Sequence, residues 1–263
     1  MTRQGNRVPM VAANWKMHKT PQEASLYLDV LRNRILELAG VDVILCVSYT
    51  SLFAIRSHLD QSPVELGAQN MHWELEGAFT GEVSPRMLKA SGVSWVILGH
   101  SERRTLFGET DDTVIRKVGS ALSQGLNPIV CVGESLQQRK EGQTGTLLKS
   151  QLEPILETVG AEGIRDTVIA YEPLWAIGTG IHATPEEVQE AHGVIRSLLR
   201  ERFGVAGGTT RILYGGSVTP GNAGDLIAAE GVDGFLVGGA SLEIESFVQI
   251  LETVQRKERR KGR

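Results

Sequence analysis

The sequence predicts an α/β protein whose 263 residues form one domain, a closed (β/α)8 barrel with eight parallel strands. Short runs rich in Val and Ile alternate with longer amphipathic segments from one end of the chain to the other. The short runs show little alternation of polar and apolar residues, which is typical of parallel strands buried on both faces. No Pro- or Ser-rich linker interrupts this order, and barrels of this length commonly form a single domain. An open doubly wound sheet is the alternative arrangement.

Eight runs are predicted to be the strands. They are Val8–Asn14, Val41–Val47, Val64–Ala68, Trp95–Leu98, Asn127–Val132, Thr167–Tyr171, Arg211–Tyr214 and Gly234–Val237. In a barrel of this kind the active site lies at the carboxyl ends of the strands. The residues that directly follow each run are therefore the first place to look for catalytic groups.

The segments between the strands carry helix start signals. Thr20 and Thr184 each precede a Pro and stand three residues before a Glu, which is the pattern of a capping box with Pro at the first helical position. Apolar stripes at 3-4-3 spacing follow both signals, namely Leu28, Leu31, Ile35 and Leu38, and then Val188, Ala191, Ile195 and Leu198. We expect further helices to begin at Asp111 and at Ser241.

Composition excludes several classes of protein. A net charge of −4 argues against a nucleic-acid-binding surface over most of the chain. Residues 256–263 form a basic C-terminal tail, which we expect to be frayed and solvated, with contact to an anionic partner as the alternative. The two cysteines, Cys46 and Cys131, lie in apolar runs and indicate a reducing compartment. Neither a signal segment nor a membrane-spanning stretch is visible, so we expect a cytoplasmic protein.

Three strand ends carry reactive side chains. Asn14 and Lys16 follow the first strand, where Lys16 suits a substrate anion, although most lysines are simply surface residues. His100 ends the fourth strand beside a helix start at Ser101, whose positive end should lower the pKa of the imidazole and keep it neutral. Glu172 ends the sixth strand and suits a general base.

The segment after Glu172 has the composition of a lid. Pro173 limits the backbone, Trp175 is a large aromatic residue, and Gly178 and Gly180 permit a hinge. A closing loop that excludes water would fit above a general base. The alternative is a solvated Glu followed by an ordinary Gly-rich turn.

Paired glycines follow the last two strands, at Gly215-Gly216 and at Gly238-Gly239. Each pair alone would fit a plain turn. Together, after strands seven and eight and before helix starts, they indicate backbone N–H groups that bind a phosphate.

Other motifs are weaker. Gly99-His100-Ser101 resembles the start of a nucleophile elbow, but Arg103 stands where the second glycine is required. The segment Gly178–Ala183 matches a dinucleotide-binding pattern but begins six residues after Glu172 instead of directly after a strand. The histidines show no HxH or HExxH spacing, so no metal site is expected.

The strand-end motifs together resemble the triosephosphate isomerase family. They are Asn14-Trp15-Lys16, Gly99–Arg103, the segment Ala170–Gly180, Tyr214–Ser217, Gly238–Leu242, and the long third-strand loop from Gly67 to Pro85. The resemblance spans nearly the whole chain in the family's order and implies a TIM barrel. Departures are mild: Leu174 takes a position that is often Val, His18 one that is often Asn, and the tail is unusually basic.

The resemblance implies an isomerase that interconverts dihydroxyacetone phosphate and D-glyceraldehyde 3-phosphate in glycolysis and gluconeogenesis, without a cofactor. It implies that Glu172 is the base, His100 a neutral electrophile, Lys16 and Asn14 electrostatic and hydrogen-bonding partners, and Glu102 an acid near Lys16. Phosphate would be held by N–H groups of Gly178, Ser217, Gly238 and Gly239. The lid would comprise Pro173, Leu174, Trp175, Ala176, Ile177, Gly178, Thr179 and Gly180.

The resemblance also implies a homodimer in which the loop around Phe79, Thr80 and Gly81 inserts beside Met17 and His18 of the neighbouring subunit. Two rival functions stay open at this stage. A Schiff-base aldolase would use Lys16, the only lysine at the barrel mouth that could serve. A non-catalytic phosphate-binding barrel would have little reason to place Glu172, His100 and Lys16 at three separate strand ends.

Overall fold

Eight parallel strands close into a barrel in which each strand pairs with its neighbours in the sequence. The computed structural model describes residues 7–59, 62–177 and 182–261. The strands are β1 Met10–Asn14, β2 Asp42–Val47, β3 Val64–Ala68, β4 Trp95–Leu98, β5 Asn127–Val132, β6 Val168–Tyr171, β7 Arg211–Tyr214 and β8 Gly234–Val237. The barrel closes because β8 pairs with β1, with Met10 opposite Gly234. The predicted barrel is confirmed, and the open sheet is wrong.

Helices follow the strands on the outside of the barrel. They are α1 Pro21–Arg34, α2 Tyr49–Arg56, α3 Pro85–Ala90, α4 Ser101–Leu106, α5 Asp111–Ser123, α6 Leu136–Lys140, α7 Thr144–Gly163, α8 Pro185–Phe203, α9 Val205–Thr209, α10 Ala223–Ala228 and α11 Ile244–Lys261. The capping boxes predicted at Thr20 and Thr184 are both present. The predicted start at Asp111 is also confirmed, with Thr110 as the N-cap.

Three predicted details of the helices differ. Ser241 does not begin a helix but ends a short 3-10 turn, Gly239–Ser241, and the last helix begins at Ile244. Leu38 lies beyond the end of α1 and is only partly buried. In α8 the stripe that begins at Val188 continues at the fully buried Leu199 instead of Leu198, because three turns of 3.6 residues span about 11 positions.

Two apolar layers hold the barrel together. One fills its interior and comprises Met10, Ala12, Ile44, Cys46, Trp95, Ile97, Ile129, Cys131, Val168, Ala170, Leu213 and Leu236. The other lies between strands and helices and takes the alternate residues of each strand. Because both faces of every strand are packed, the strand ends are rigid supports for the side chains that follow them.

The basic C-terminal segment is helical as far as Lys261 and is not frayed, because α11 continues through it. Phe247, Leu251 and Val254 are buried, and the Gln255 amide donates to the Ala39 carbonyl at 3.2 Å. Lys, Arg and Glu favour helices, so the turns beyond Val254 extend a helix that is already anchored. Within the described ranges, no helix is long and apolar enough to cross a membrane.

Candidate active site

The predicted catalytic side chains meet at the carboxyl ends of the strands, around a cavity of about 370 Å³. Asn14 and Lys16 come from β1, His100 from β4 and Glu172 from β6, although up to 158 positions separate them in the sequence. The cavity wall also includes His18, Ile177, Ser217, Gly238 and Gly239. These four candidates from the sequence analysis therefore lie around a single cavity.

Glu172 is 2% exposed, and its carboxylate has two close polar neighbours. The Ser101 N–H donates to Oε2 at 2.9 Å, and His100 Nε2 lies 3.0 Å from Oε1. Burial raises the pKa of Glu172, but His100, the Ser101 N–H and Lys16 together lower it further than burial raises it. The group is thus a buried, ionised carboxylate at neutral pH, which is the form a general base needs.

His100 is the N-cap of α4, and its ring is held in one tautomer. The Glu102 N–H donates to Nδ1 at 3.2 Å, so this nitrogen is an acceptor and the ring proton lies on Nε2. Burial lowers the pKa of His100, and Glu172 beside Nε2 together with Glu102 raises it by more. The predicted direction, a lowered pKa, is therefore wrong for this arrangement. The imidazole is nevertheless neutral here, because a ring nitrogen that accepts an N–H bond carries no proton.

Lys16 has a strained backbone and a well-defined position. Its φ of 52° lies in the left-handed region, which non-glycine residues rarely adopt. The Asn14 side chain accepts from the Lys16 N–H at 3.1 Å, and the Gln69 amide donates to the Lys16 carbonyl at 2.9 Å. Lys16 Nζ lies 2.5 Å from Glu102 Oε1. These contacts turn the ammonium toward the cavity mouth beside Gly238, where an added Cβ would lie 3.4 Å from Lys16 Cε.

The two Gly-rich turns form another part of the cavity wall. Ser241 braces the second turn, since its hydroxyl donates to the Gly238 carbonyl at 2.7 Å and its N–H donates to the same oxygen at 2.9 Å. In the first turn, the Ser217 N–H already donates to the Ala176 carbonyl at 3.0 Å. One of the predicted phosphate donors is thus engaged by the lid segment. Gly178, another predicted donor, lies outside the described residues.

The start of the predicted lid is anchored to a residue that the sequence did not single out. Leu174–Ala176 form a 3-10 turn, and the Trp175 indole N–H donates to Glu134 Oε1 at 3.1 Å. The Tyr171 hydroxyl donates to the same oxygen at 2.9 Å. Glu134 is fully buried directly after β5, so a carboxylate at a strand end was the available signal. Thr179 and Gly180 of the predicted lid lie outside the described residues.

Comparison with known proteins gives one consistent result. A profile of the triosephosphate isomerase family matches residues 9–254. The chain is 50% identical over 247 residues to the triosephosphate isomerase of Carboxydothermus hydrogenoformans, which covers 94% of this chain and 98% of the relative. It is 48% identical to that of Chloroflexus aurantiacus, over 93% and 98% of the two chains. It is 44% identical to the triosephosphate isomerase of Endomicrobium trichonymphae, over 94% of this chain and 98% of the relative.

The chain belongs to the triosephosphate isomerase family. It is therefore an isomerase with the family's barrel fold, and the resemblance seen in its strand-end motifs is confirmed.

Two glycines leave room for Glu172, directly after β6: Gly133 for its backbone and Gly215 for its side chain. A Cβ at Gly133, on the strand to one side, would lie 1.9 Å from the Glu172 carbonyl oxygen. A Cβ at Gly215, on the other side, would lie 2.9 Å from Glu172 Cγ. Gly215 was predicted only as part of a phosphate turn, and Gly133 was given no role. Both positions lie against Glu172 and need a residue without a side chain.

The residues predicted to contact a second subunit are on the surface. Met17 is 94% exposed and Phe79 is 43% exposed, while His18, Thr80 and Gly81 are also exposed. The Phe79 ring packs on the His72 ring, with the ring centres 4.3 Å apart, so the loop tip has a defined shape. Within the part of the chain that the structure describes, no group of three or more His, Cys, Asp or Glu residues could hold a metal ion.

Proposed function

We propose that Glu172 and His100 carry out the proton transfers of the triosephosphate isomerase reaction, the interconversion of dihydroxyacetone phosphate and D-glyceraldehyde 3-phosphate, while Lys16 stabilises the developing charge. One observation carries this assignment. A buried carboxylate, a neutral imidazole and an ammonium reach one cavity from three separate strand ends, next to two Gly-rich turns. A barrel that only binds phosphate would need the turns but not the three reactive groups.

Glu172 removes a proton from one substrate carbon and returns it to the adjacent carbon, through an enediolate. In the described arrangement the carboxylate rests on the Ser101 N–H and is almost inaccessible. Substrate binding therefore requires the side chain to turn from Ser101 into the cavity, since proton transfer needs hydrogen-bond reach.

His100 moves protons between the two substrate oxygens through Nε2, which holds the ring proton. Lys16 stabilises the negative charge that develops on these oxygens, and Asn14 holds the turn that aims Lys16. Glu102 contacts both partners, because its N–H fixes the tautomer of His100 and its carboxylate fixes the ammonium of Lys16. Carboxylate, imidazole and ammonium suffice for this chemistry, so the proposal includes no cofactor.

The phosphate group of the substrate binds at the N–H groups of Gly238 and Gly239, together with Ser217 and Gly178. For Ser217 to take part, its N–H must leave the Ala176 carbonyl, so phosphate binding competes with one contact of the lid segment. This competition would connect substrate recognition to movement of the lid.

The proposal extends to assembly and location. Exposed Met17 and His18 and the Phe79-Thr80-Gly81 tip support a homodimer in which each tip contacts the partner. The whole chain acts as a single domain, in the cytoplasm, where its two buried cysteines stay reduced. Nucleic acid and membranes are not proposed as partners.

A coupled isomerase assay on the purified protein tests the function, and Glu172→Gln tests the mechanism. An amide cannot accept the proton, so the variant should lose about 10²- to 10⁴-fold in kcat while still binding inorganic phosphate. Near wild-type turnover in this variant would show that the base is misassigned. Borohydride trapping is the control for the aldolase reading, because only a Schiff base on Lys16 would give a reducible adduct.

A further inference from the structure

Tyr27 on α1 contacts the turn after β8, which is the turn that the proposed function assigns to the substrate phosphate. The Tyr27 hydroxyl donates to the Ser241 carbonyl at 2.7 Å, although 214 positions separate the two residues. Both residues are buried, and Ser241 ends the 3-10 turn that begins at Gly239. A side chain of the first helix therefore holds the turn that follows the last strand.

The hydrogen bonds continue from Ser241 to the N–H group of Gly239. The Ser241 hydroxyl and N–H donate to the Gly238 carbonyl at 2.7 Å and 2.9 Å. This carbonyl and the Gly239 N–H belong to one planar trans peptide and point in opposite directions. Ser241 therefore sets the direction of the Gly239 N–H, and Tyr27 holds Ser241 in place.

The ring of Tyr27 packs on the other side against the segment that follows β1. Trp15 lies between Asn14 and Lys16, and its ring centre is 4.9 Å from that of Tyr27, in an edge-to-face contact. Lys19 Nζ lies 4.7 Å from the Tyr27 ring centre and 5.5 Å from the Trp15 ring, so one cation contacts both rings. Tyr27 thus contacts the residue next to Lys16 with its ring and the phosphate turn with its hydroxyl.

The Tyr27 hydroxyl is a permanent donor in this position. Burial raises the pKa of Tyr27, so the phenol keeps its proton at neutral pH. Its partner is a backbone carbonyl, which can only accept. A phenylalanine of the same shape would fill the space between Trp15 and the turn without making this bond.

We propose that Tyr27 is a positioning residue that orders the phosphate turn at a fixed distance from Lys16 before substrate binds. The proposal rests on the proposed function, which assigns the phosphate to this turn. Gly238 lies against the Lys16 side chain, since an added Cβ would be 3.4 Å from Lys16 Cε. A turn that is already ordered loses less conformational entropy on binding, so its N–H groups bind an anion more tightly.

The test is Tyr27→Phe, because phenylalanine keeps the ring contacts with Trp15 and Lys19 and removes only the hydroxyl. The dissociation constant of inorganic phosphate, measured by calorimetry, should rise about two- to tenfold, which is the usual effect of one hydrogen bond. The KM of the triose phosphate should rise by a similar factor. We expect kcat to stay within about twofold, because the phosphate is bound alike in the ground state and the transition state.

Ser25→Ala is the matched control, because it also removes one hydroxyl from α1, but one that donates to the Pro21 carbonyl of the same helix at 3.1 Å. Its phosphate affinity, KM and kcat should equal those of the wild type. Wild-type phosphate affinity in Tyr27→Phe would overturn the proposal even if the Tm fell, because the bond would then serve stability alone. A fall in kcat at unchanged KM, or an equal loss of affinity in Ser25→Ala, would also overturn it.

The calorimetric measurement separates this proposal from the proposed function. If the wild-type protein binds inorganic phosphate but does not isomerise triose phosphates, the proposed function fails. The comparison of phosphate affinities between the wild type and Tyr27→Phe still decides the role of Tyr27. An active wild type with unchanged phosphate affinity in the variant would refute only the role of Tyr27.

Discussion

Replacing Gly215 by Ala should damage catalysis without unfolding the protein. The new Cβ would lie 2.9 Å from Glu172 Cγ and 3.3 Å from the Tyr171 carbonyl oxygen. Ordinary contacts of this kind are about 3.5–4 Å, so one group must move by roughly 0.5–1 Å. The carbonyl belongs to a strand paired on both sides, and the Glu172 side chain is therefore the group that moves.

The size of the effect follows from that displacement. A misplacement of about 1 Å in a catalytic group can cost on the order of 10²-fold, so we expect kcat to fall about 10- to 100-fold. Affinity for inorganic phosphate, a probe of the Gly-rich turns, should stay within about twofold. The backbone of Gly215 is not in the left-handed region, so alanine adds no strain of that kind.

Initial rates in both directions measure kcat and KM, and competition by inorganic phosphate measures the anion site. Gly224→Ala is the control, because this exposed position in α10 has only Thr253 within reach of a new Cβ, at 3.9 Å. Wild-type kcat in Gly215→Ala would refute the view that Glu172 needs this space. Equal losses in both variants would point to a general effect of the extra methyl group.

Three further outcomes are expected. Activity should survive exhaustive chelation with EDTA, because proton transfer here uses only side chains; loss on chelation and recovery with a divalent ion would contradict this. Sedimentation should show a dimer at micromolar concentration and a weaker one for Phe79→Asp, whose charge would enter the interface; a wild-type monomer would refute the proposed assembly. Burial lowers the pKa of His192 from 6.5 to about 4. The unfolded chain therefore takes up a proton below pH 6.5 that the folded protein does not, and the free energy of unfolding should fall by about 2 kcal/mol between about pH 7 and pH 5. His192→Gln, compared by urea denaturation, should lose this part of the pH dependence, and an unchanged slope would show that His192 is not its source.

The barrel and the location of the site could be predicted because the information is local. Each strand is a short apolar run, and Asn14, His100 and Glu172 lie at or directly after the ends of such runs. Closure of a parallel barrel then brings all strand ends to one edge, so residues far apart in the sequence meet without any knowledge of their contacts.

Other features depend on groups that no local pattern connects. The pKa direction of His100 is set by Glu172, which lies 72 positions away, and not by the helix start beside it. The Ser217 N–H donates to the Ala176 carbonyl across the cavity mouth. Ser241 was predicted to begin a helix because serine favours helix N-caps, but its hydroxyl donates to the Gly238 carbonyl and it ends a 3-10 turn.

The course of α11 decides what its basic end can do. Helices in this fold return from the strands' carboxyl edge, so the last turns of α11 lie at the opposite pole from the cavity. Residues 256–261 hold five cations and one anion, which gives this segment a net charge of +4. Because the whole chain has a net charge of −4, the rest of it carries a net charge of −8. The negative end of the helix macrodipole lies at these last turns, so Arg256, Lys257 and Arg259 stabilise the helix that carries them. This charge therefore does not steer an anionic substrate to its site. At the cavity, Lys16 and the surrounding N–H groups supply the electrostatic attraction.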